Sequence, residues 1–190
     1  MSTAAGDTFQ TYSGAGAIIK VNAAGRLIAA NSTFLINQIS LDNASVLNGG
    51  DWTGNVFGNT TTSTPLSIPY NDVQYLAGNT SLGDVNINAG TLASGTLALN
   101  QVDNSPNLKY IFPAGFTVAQ GATLNVGPNV VVQINDGQTL TANGALNFGI
   151  GATVKFYTTY GAAQILVGGN GTMSTAAGDT FQTYSGAGAI

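Results

Sequence analysis

Between Phe116 and Phe156 the apolar side chains fall on even positions. Phe116, Val118, Leu124, Val126, Val130, Val132, Ile134, Leu140, Leu146, Phe148, Ile150, Val154 and Phe156 share that parity. The odd positions hold mainly Thr, Asn, Gly, Gln and Ala, with Val131 the one large apolar residue among them. A period of two is the signature of strands with one face buried. An amphipathic helix needs apolar residues at i, i+3, i+4 and i+7, and no such stripe occurs. Weaker alternation recurs at Ile19/Val21, Leu27/Ala29, Phe34/Ile36, Val85/Ile87, Leu97/Leu99 and Ile165/Val167. Parity also survives the turn signals Gly127-Pro128 and Asn135-Asp136-Gly137. Short bends that keep one face inward suit a solenoid, whereas separate hairpins reset parity more often.

The pattern has an internal period. Thr117–Ile134 and Thr139–Phe156 align at an offset of 22 residues, with Leu124 over Leu146, Asn125 over Asn147 and Val132 over Val154. A unit of that size matches one coil of a β-solenoid. The predicted fold is therefore all-β: a parallel β-solenoid (β-helix) with coils of about 22 residues. Seven or eight coils, roughly 4.8 Å apart, would make about 35 Å of fibre per large period. The alternative is an antiparallel β-sandwich fibre subunit with a donated terminal strand. Residues 47–65, rich in Gly, Asn and Thr, interrupt the alternation and read as a loop or hairpin excursion.

A larger repeat frames the chain. Residues 1–18, MSTAAGDTFQTYSGAGAI, recur letter for letter as residues 173–190, an offset of 172. Either the chain samples a natural tandem array, or a copy of the first strand was appended. Met173 favours the array, because an appended strand has no reason to carry an initiator Met. On this reading 1–172 is one period and 173–190 starts the next identical one.

Composition narrows the chemistry. Charged residues are 6% of the 190, with eight Asp or Glu and four Lys or Arg, so the polar surface is built from Asn, Thr, Ser, Gln and Gly. Such a surface repels its own copies weakly and lacks the basic cluster that nucleic acid requires. The chain has no Cys and no His, which removes thiol and imidazole nucleophiles, bases and metal ligands. Most Asp residues sit beside Gly or Asn, where Asp serves turns. Gly168-Gly169-Asn170-Gly171 begins like a calcium nonapeptide but has no Asp. An ice-binding face wants regularly spaced Thr, and Thr60-Thr61-Thr62 is a single clump. No catalytic residue, cofactor or metal site is expected, and no apolar run reaches the roughly 18 residues of a membrane span. Five sequons, at Asn31, Asn43, Asn59, Asn79 and Asn170, are candidate glycosylation sites, although an Asn/Ser/Thr-rich chain produces several by composition. Trp52, Phe57, Tyr70 and Tyr75 are candidate sugar-stacking rings, with capping of the core as the stronger reading.

The stretch FTVAQGATLNVGPNVVVQINDGQTLTANGALNFG resembles right-handed β-helix segments of bacterial surface proteins, such as autotransporter passengers and haemagglutinin-like adhesins. The resemblance is good over residues 108–172, loose over 1–50 and absent over 50–80. It implies export and display, and brings no catalytic residue with it. The expected function is an extracellular, cell-surface structural or adhesive fibre, with no enzymatic activity. Its partners would be further copies of itself, joined head to tail, and surface glycans. The alternative is a carbohydrate-binding or carbohydrate-active β-helix module.

Overall fold

The computed structural model describes residues 1–11, 16–58 and 63–184. They form two compact units, Met1–Asn86 with Val102–Leu108, and Ile87–Gln101 with Lys109–Ile190. The protein is all-β, and the paired strands run parallel, stacked turn upon turn as a β-solenoid. Interleaved antiparallel strands, which the sandwich alternative requires, are replaced by a coil-to-coil parallel ladder.

The first unit holds β1 (Thr8–Gln10), β2 (Ile18–Val21), β3 (Ala29–Ala30), β4 (Thr33–Leu35), β5 (Gln38–Leu41), β6 (Trp52–Thr53), β7 (Val56–Phe57), β8 (Leu66–Ile68) and β9 (Asp84–Ile87). Its sheets run β1-β4-β7, β3-β6 and β2-β5-β8-β9. A 3-10 segment, Tyr70–Leu76, follows Pro69. Phe34 is the core's pivot: it is buried and stacks on Phe9 at 5.1 Å and on Phe57 at 5.2 Å. Register places Phe9 over Phe34 and Phe34 over Phe57, so the aromatic stack follows from the strand pairing.

This corrects the reading of 47–65 as an excursion. Trp52 and Phe57 lie in β6 and β7, which pair with β3 and β4 inside the stack. Among the described residues of this span the antiparallel bridge from Gly58 to Ser63 alone has hairpin character, and residues 59–62 lie outside the described residues. The misleading signal was Gly54-Asn55, which reads as a surface turn. Asn55 is instead fully buried. Its Nδ2 donates to the Ala29 carbonyl at 2.8 Å, and its Oδ1 accepts the Ser32 N–H at 3.0 Å. Asn79, one turn on, accepts the Asn55 N–H at 3.0 Å through its own Oδ1. At this bend the backbone groups lack ladder partners, and a column of buried amides supplies them.

The second unit holds β10 (Gly90–Leu92), β11 (Gly95–Leu99), β12 (Lys109–Phe112), β13 (Phe116–Val118), β14 (Ala122–Val126), β15 (Val131–Ile134), β16 (Thr139–Ala142), β17 (Ala145–Phe148), β18 (Thr153–Tyr157), β19 (Gln164–Val167), β20 (Thr172–Ser174) and β21 (Thr180–Tyr184). Each turn contributes three strands, giving the orders β10-β13-β16-β19, β11-β14-β17-β20 and β12-β15-β18-β21. Leu124 pairs with Leu146 and Val132 with Val154, the predicted 22-residue step. In the third sheet direction the step is not constant. Thr117 pairs with Thr141, not Thr139, because the chain takes five residues from Val118 to Thr123 but three between their partners, Ala142 and Ala145. A two-residue slip preserves which side faces inward, so Phe116 still lies over Leu140. Across both units the step ranges from 20 residues, Ile18 to Gln38, to 27, Leu97 to Leu124. Between Phe116 and Phe156 the expected inward residues are buried, except Ile150, which lies in the turn before β18 and is 64% exposed, and Phe156, which is half-buried; of the weaker pairs, Ile19 and Ile165 are half-buried and Val167 is exposed.

The tight bend at Gly144 shows how closely turns stack. A Cβ there would lie 2.3 Å from the carbonyl oxygens of Ala119 and Ala122. Gly49 has nothing within 4 Å and ordinary φ. Gly144→Ala should therefore destabilise by about 1–3 kcal/mol through overpacking, while Gly49→Ala leaves stability nearly unchanged. Urea denaturation of the two variants checks this, and equal effects would contradict the close approach.

Candidate functional site

The chain's ionisable groups are few, and the structure shows how they are used. Asp51 is buried and Arg26 half-exposed; Arg26 Nε and Nη2 donate to the two Asp51 oxygens at 2.7 and 2.5 Å. This bidentate pair, with the Asn48 N–H at 2.9 Å, holds the Asp51 carboxyl below the usual carboxylate range. Asp72, in the 3-10 segment, has the opposite environment. It is 6% exposed, and its Oδ2 has no hydrogen-bond partner. Burial, with the Asp51 charge adding to it, pushes the Asp72 carboxyl up to about 6. Asp136 serves the turn that follows it in the stack: its carboxylate accepts the N–H groups of Thr159 (2.9 Å), Tyr160 (2.8 Å) and Gly161 (2.8 Å). Those bonds lower its pKa. Among the described residues no three His, Cys, Asp or Glu come together as a metal site.

The proposed aromatic patch does not form as such. Trp52 is 3% exposed, donates Nε1–H to the Leu27 carbonyl at 3.2 Å and touches the Phe57 ring at 5.4 Å. Phe57 is buried under Phe34. Only Tyr70 and Tyr75 are partly exposed, so the four rings present no common stacking surface. Core capping, the reading preferred from sequence, describes Trp52 and Phe57.

The sequons divide. Asn31, Asn43 and Asn170 are exposed, and Asn59 lies outside the described residues. Asn79 is 1% exposed, with its amide donating to the carbonyls of Trp52 (3.3 Å) and Leu76 (3.1 Å). It is a structural residue, and the sequon reading of Asn79 is corrected on that ground.

The outward faces carry polar rows. Thr91, Thr117 and Thr141 stack in register on β10, β13 and β16, at steps of 26 and 24 residues that hide the row. On the neighbouring sheet Asn147 donates to Asn125 at 2.9 Å, and Ser174 to Asn147 at 2.8 Å. The first unit also has a neutral groove of about 310 Å³ beside Thr11, Leu35, Asn37, Ser63 and Thr64. The Thr11 hydroxyl donates to Asn37 at 3.2 Å there, and Thr64 is already bonded to the Phe34 carbonyl at 2.7 Å. Among the described residues its lining carries hydroxyl and amide groups and no ionisable side chain.

The most exposed apolar surface is the last turn of the second unit. Val167, Met173 and Phe181 have the inward parity of Ala142, Leu146 and Val154, their partners one turn below. Those partners are 0–1% exposed, whereas Val167, Met173 and Phe181 are 42%, 38% and 40% exposed. Among the described residues nothing pairs with the far edges of β19, β20 and β21. These three side chains of inward parity lie on the last rung that the structure describes. No family model, no curated protein and no solved structure matches this chain.

Two outcomes follow. An acid whose folded pKa is raised favours the folded state below its unfolded value, near 4, and loses that stability as pH rises through about 6. Asp72→Asn should therefore stabilise the protein by about 1–2 kcal/mol at pH 8 and leave it unchanged at pH 3.5, as read by denaturation at the two pH values. Asn79→Ala removes the acceptor of the Asn55 N–H and should cost about 1–3 kcal/mol, where Asn170→Ala costs nothing measurable.

Proposed function

We propose that this chain is a structural or adhesive fibre module of the cell exterior, assembling head to tail with copies of itself. The observation that carries this reading is the uncovered core at Val167, Met173 and Phe181. Each side chain sits where the next rung of a parallel stack would bury it. Monomeric solenoids close such ends with polar caps. Strand β21 itself carries no Lys, Arg, Asp or Pro, the residues that blunt a strand edge. A contact between two different ends does not close on itself, so it propagates as a filament.

Exposure of the solenoid outside a cell is part of the proposal, supported by the resemblance of residues 108–172 to surface β-helix segments and by a surface built from neutral polar groups. The proposal includes no catalysis. Buried Asp51 is paired with Arg26, Asp72 is buried with its Oδ2 unpaired, and among the described residues the neutral groove carries no ionisable side chain. A carbohydrate-binding role loses its sequence basis with the burial of Trp52 and Phe57.

Electron microscopy of the purified chain should show filaments with a regular axial repeat. With 12 charged residues in 190, their formation should depend little on salt. Val167→Lys places a charge on the uncovered rung and should leave a folded, filament-free monomer by circular dichroism and light scattering. A wild-type chain that stays a monodisperse monomer at high concentration would overturn the reading.

A further inference from the structure

The duplicated segment is seen twice, and the two views are complementary. Its local fold is the same in both. Ala4 N–H donates to Asp7 Oδ2 at 2.7 Å, and Ala176 N–H to Asp179 Oδ2 at 2.6 Å. Gly6 and Gly178 both take positive φ, 87° and 79°, to close that turn. A strand begins at Thr8 in one copy and at its counterpart Thr180 in the other.

The edges they use differ. In the first copy the segment bonds the turn that follows it. Thr3 N–H donates to the Ile28 carbonyl, Ile28 N–H to the Met1 carbonyl, Thr33 N–H to the Asp7 carbonyl and Thr11 N–H to the Leu35 carbonyl, all at 2.8–3.1 Å. These are odd positions of the segment; within its turn the Gly6 N–H also donates, to the Asn31 carbonyl at 2.9 Å. In the second copy it bonds the turn that precedes it. Thr180 N–H donates to the Ala152 carbonyl at 2.9 Å, and the Tyr184 carbonyl accepts the Thr158 N–H at 3.3 Å. Thr180 and Tyr184 correspond to positions 8 and 12, which are even. Peptide groups of successive residues in a strand point to opposite edges. One segment can therefore hold both neighbours at once.

We infer that the head-to-tail joint is a strand exchange, in which residues 1–11 of a second copy of this chain take the place of residues 173–183 on β17 and β18. This rests on the self-assembly reading and specifies its contact. Within residues 173–183 the replacement sets the same residue type at each position, while the Tyr184 bond to Thr158 lies beyond it. Met1 takes the place of Met173 over Leu146, and Phe9 that of Phe181, whose ring meets Phe148 edge-on at 5.3 Å. Asp7 takes the place of Asp179, which accepts the Ala152 N–H at 3.0 Å. The incoming segment also keeps its own bonds to β4, so the ladder continues through it. The outgoing segment is simple to release: all residues of β20 and β21 are exposed, and each strand has one neighbour. Exchange of identical elements is a low-cost route to association. After the exchange Ile18–Val21 of the newcomer falls on the open edge of β19, where Leu166 and Val167 are exposed.

Register makes the joint testable in the full chain, which has no native Cys. Thr153 pairs with Thr180, so exchange brings Thr8 of the second copy beside Thr153, within reach of a disulfide. A Thr153→Cys chain mixed with a Thr8→Cys chain and oxidised should give a covalent heterodimer as the main product. An excess of a synthetic peptide of residues 1–11 should lower its yield. A single chain carrying Thr153→Cys and Thr180→Cys should close internally, which shows that the pair can form. Closure of that control without any heterodimer would overturn the exchange, as would a heterodimer indifferent to the peptide. Filaments without the heterodimer would leave the fibre standing and remove the exchange. A peptide-sensitive heterodimer without filaments would do the reverse.

Discussion

The rest of this structure depends on one constraint, that each strand lies parallel and in register on the strand one turn below. A parallel ladder places each inward side chain directly over another inward side chain. The chain must therefore keep apolar residues over apolar residues at every rung, as Leu124 over Leu146 and Val132 over Val154 do. What happens between strands is far less restricted. Steps of 20 to 27 residues are tolerated because bends absorb the difference, while the ladder does not. Where turns approach most closely, as at Gly144, the side chain is eliminated altogether. Where a bend leaves backbone groups unpaired inside the stack, Asn55 and Asn79 pair them.

The same constraint explains what the sequence disclosed. Alternation over residues 116–156 was legible because the offsets there are even, so the inward positions share one parity from turn to turn. The 22-residue step was legible where two bends happen to match in length, and misaligned Thr117 where they do not. Residues 52–57 were misread because Gly and Asn signal exposed turns in local terms. Tertiary stacking reverses that meaning when the Asn amide becomes the partner of buried backbone. Ile150 was misread in the opposite sense: parity placed it inside, but the chain there is already turning and exposes it. The repeat already set Asn125 over Asn147, but the row Thr91–Thr117–Thr141 and the continuation of the Asn pair to Ser174 depend on register, so the three-dimensional ladder reveals them.

Scarcity of charge gives each carboxylate a specific mechanical task. Asp136 gathers three backbone N–H groups of the turn above it, and Asp7 and Asp179 each close the turn that precedes a strand. Charge-assisted bonds of this kind are stronger than neutral ones and fix bends that have little apolar surface of their own. Asp72 departs from the pattern, with a buried oxygen left unpaired. Its cost is tolerable because the proton can stay on well above the usual carboxylate range. The outward surface then depends on Thr, Asn and Ser, whose short-range hydrogen bonds neither steer nor repel a partner at a distance.

The duplicated segment brings these points together in its phasing. In the first unit it supplies the bridge at Ser2 and the strand β1, with β2 completing that turn. In the second unit it begins within β20, the middle strand of its turn, and runs on through β21, Thr180–Tyr184. Thr8–Gln10 is thus followed by one further strand before its turn closes, whereas Thr180–Tyr184 closes its own. Identical sequence occupies successive strand positions, not the same one. Its inward residue is nonetheless the same in both settings, with Phe9 over Phe34 and Phe181 over Val154. Parity therefore travels with the sequence, and the face of the turn is set by whichever ladder the segment joins. A segment with fixed parity and unfixed face is suited to an end, because it can complete a turn begun by another ladder without altering its own fold.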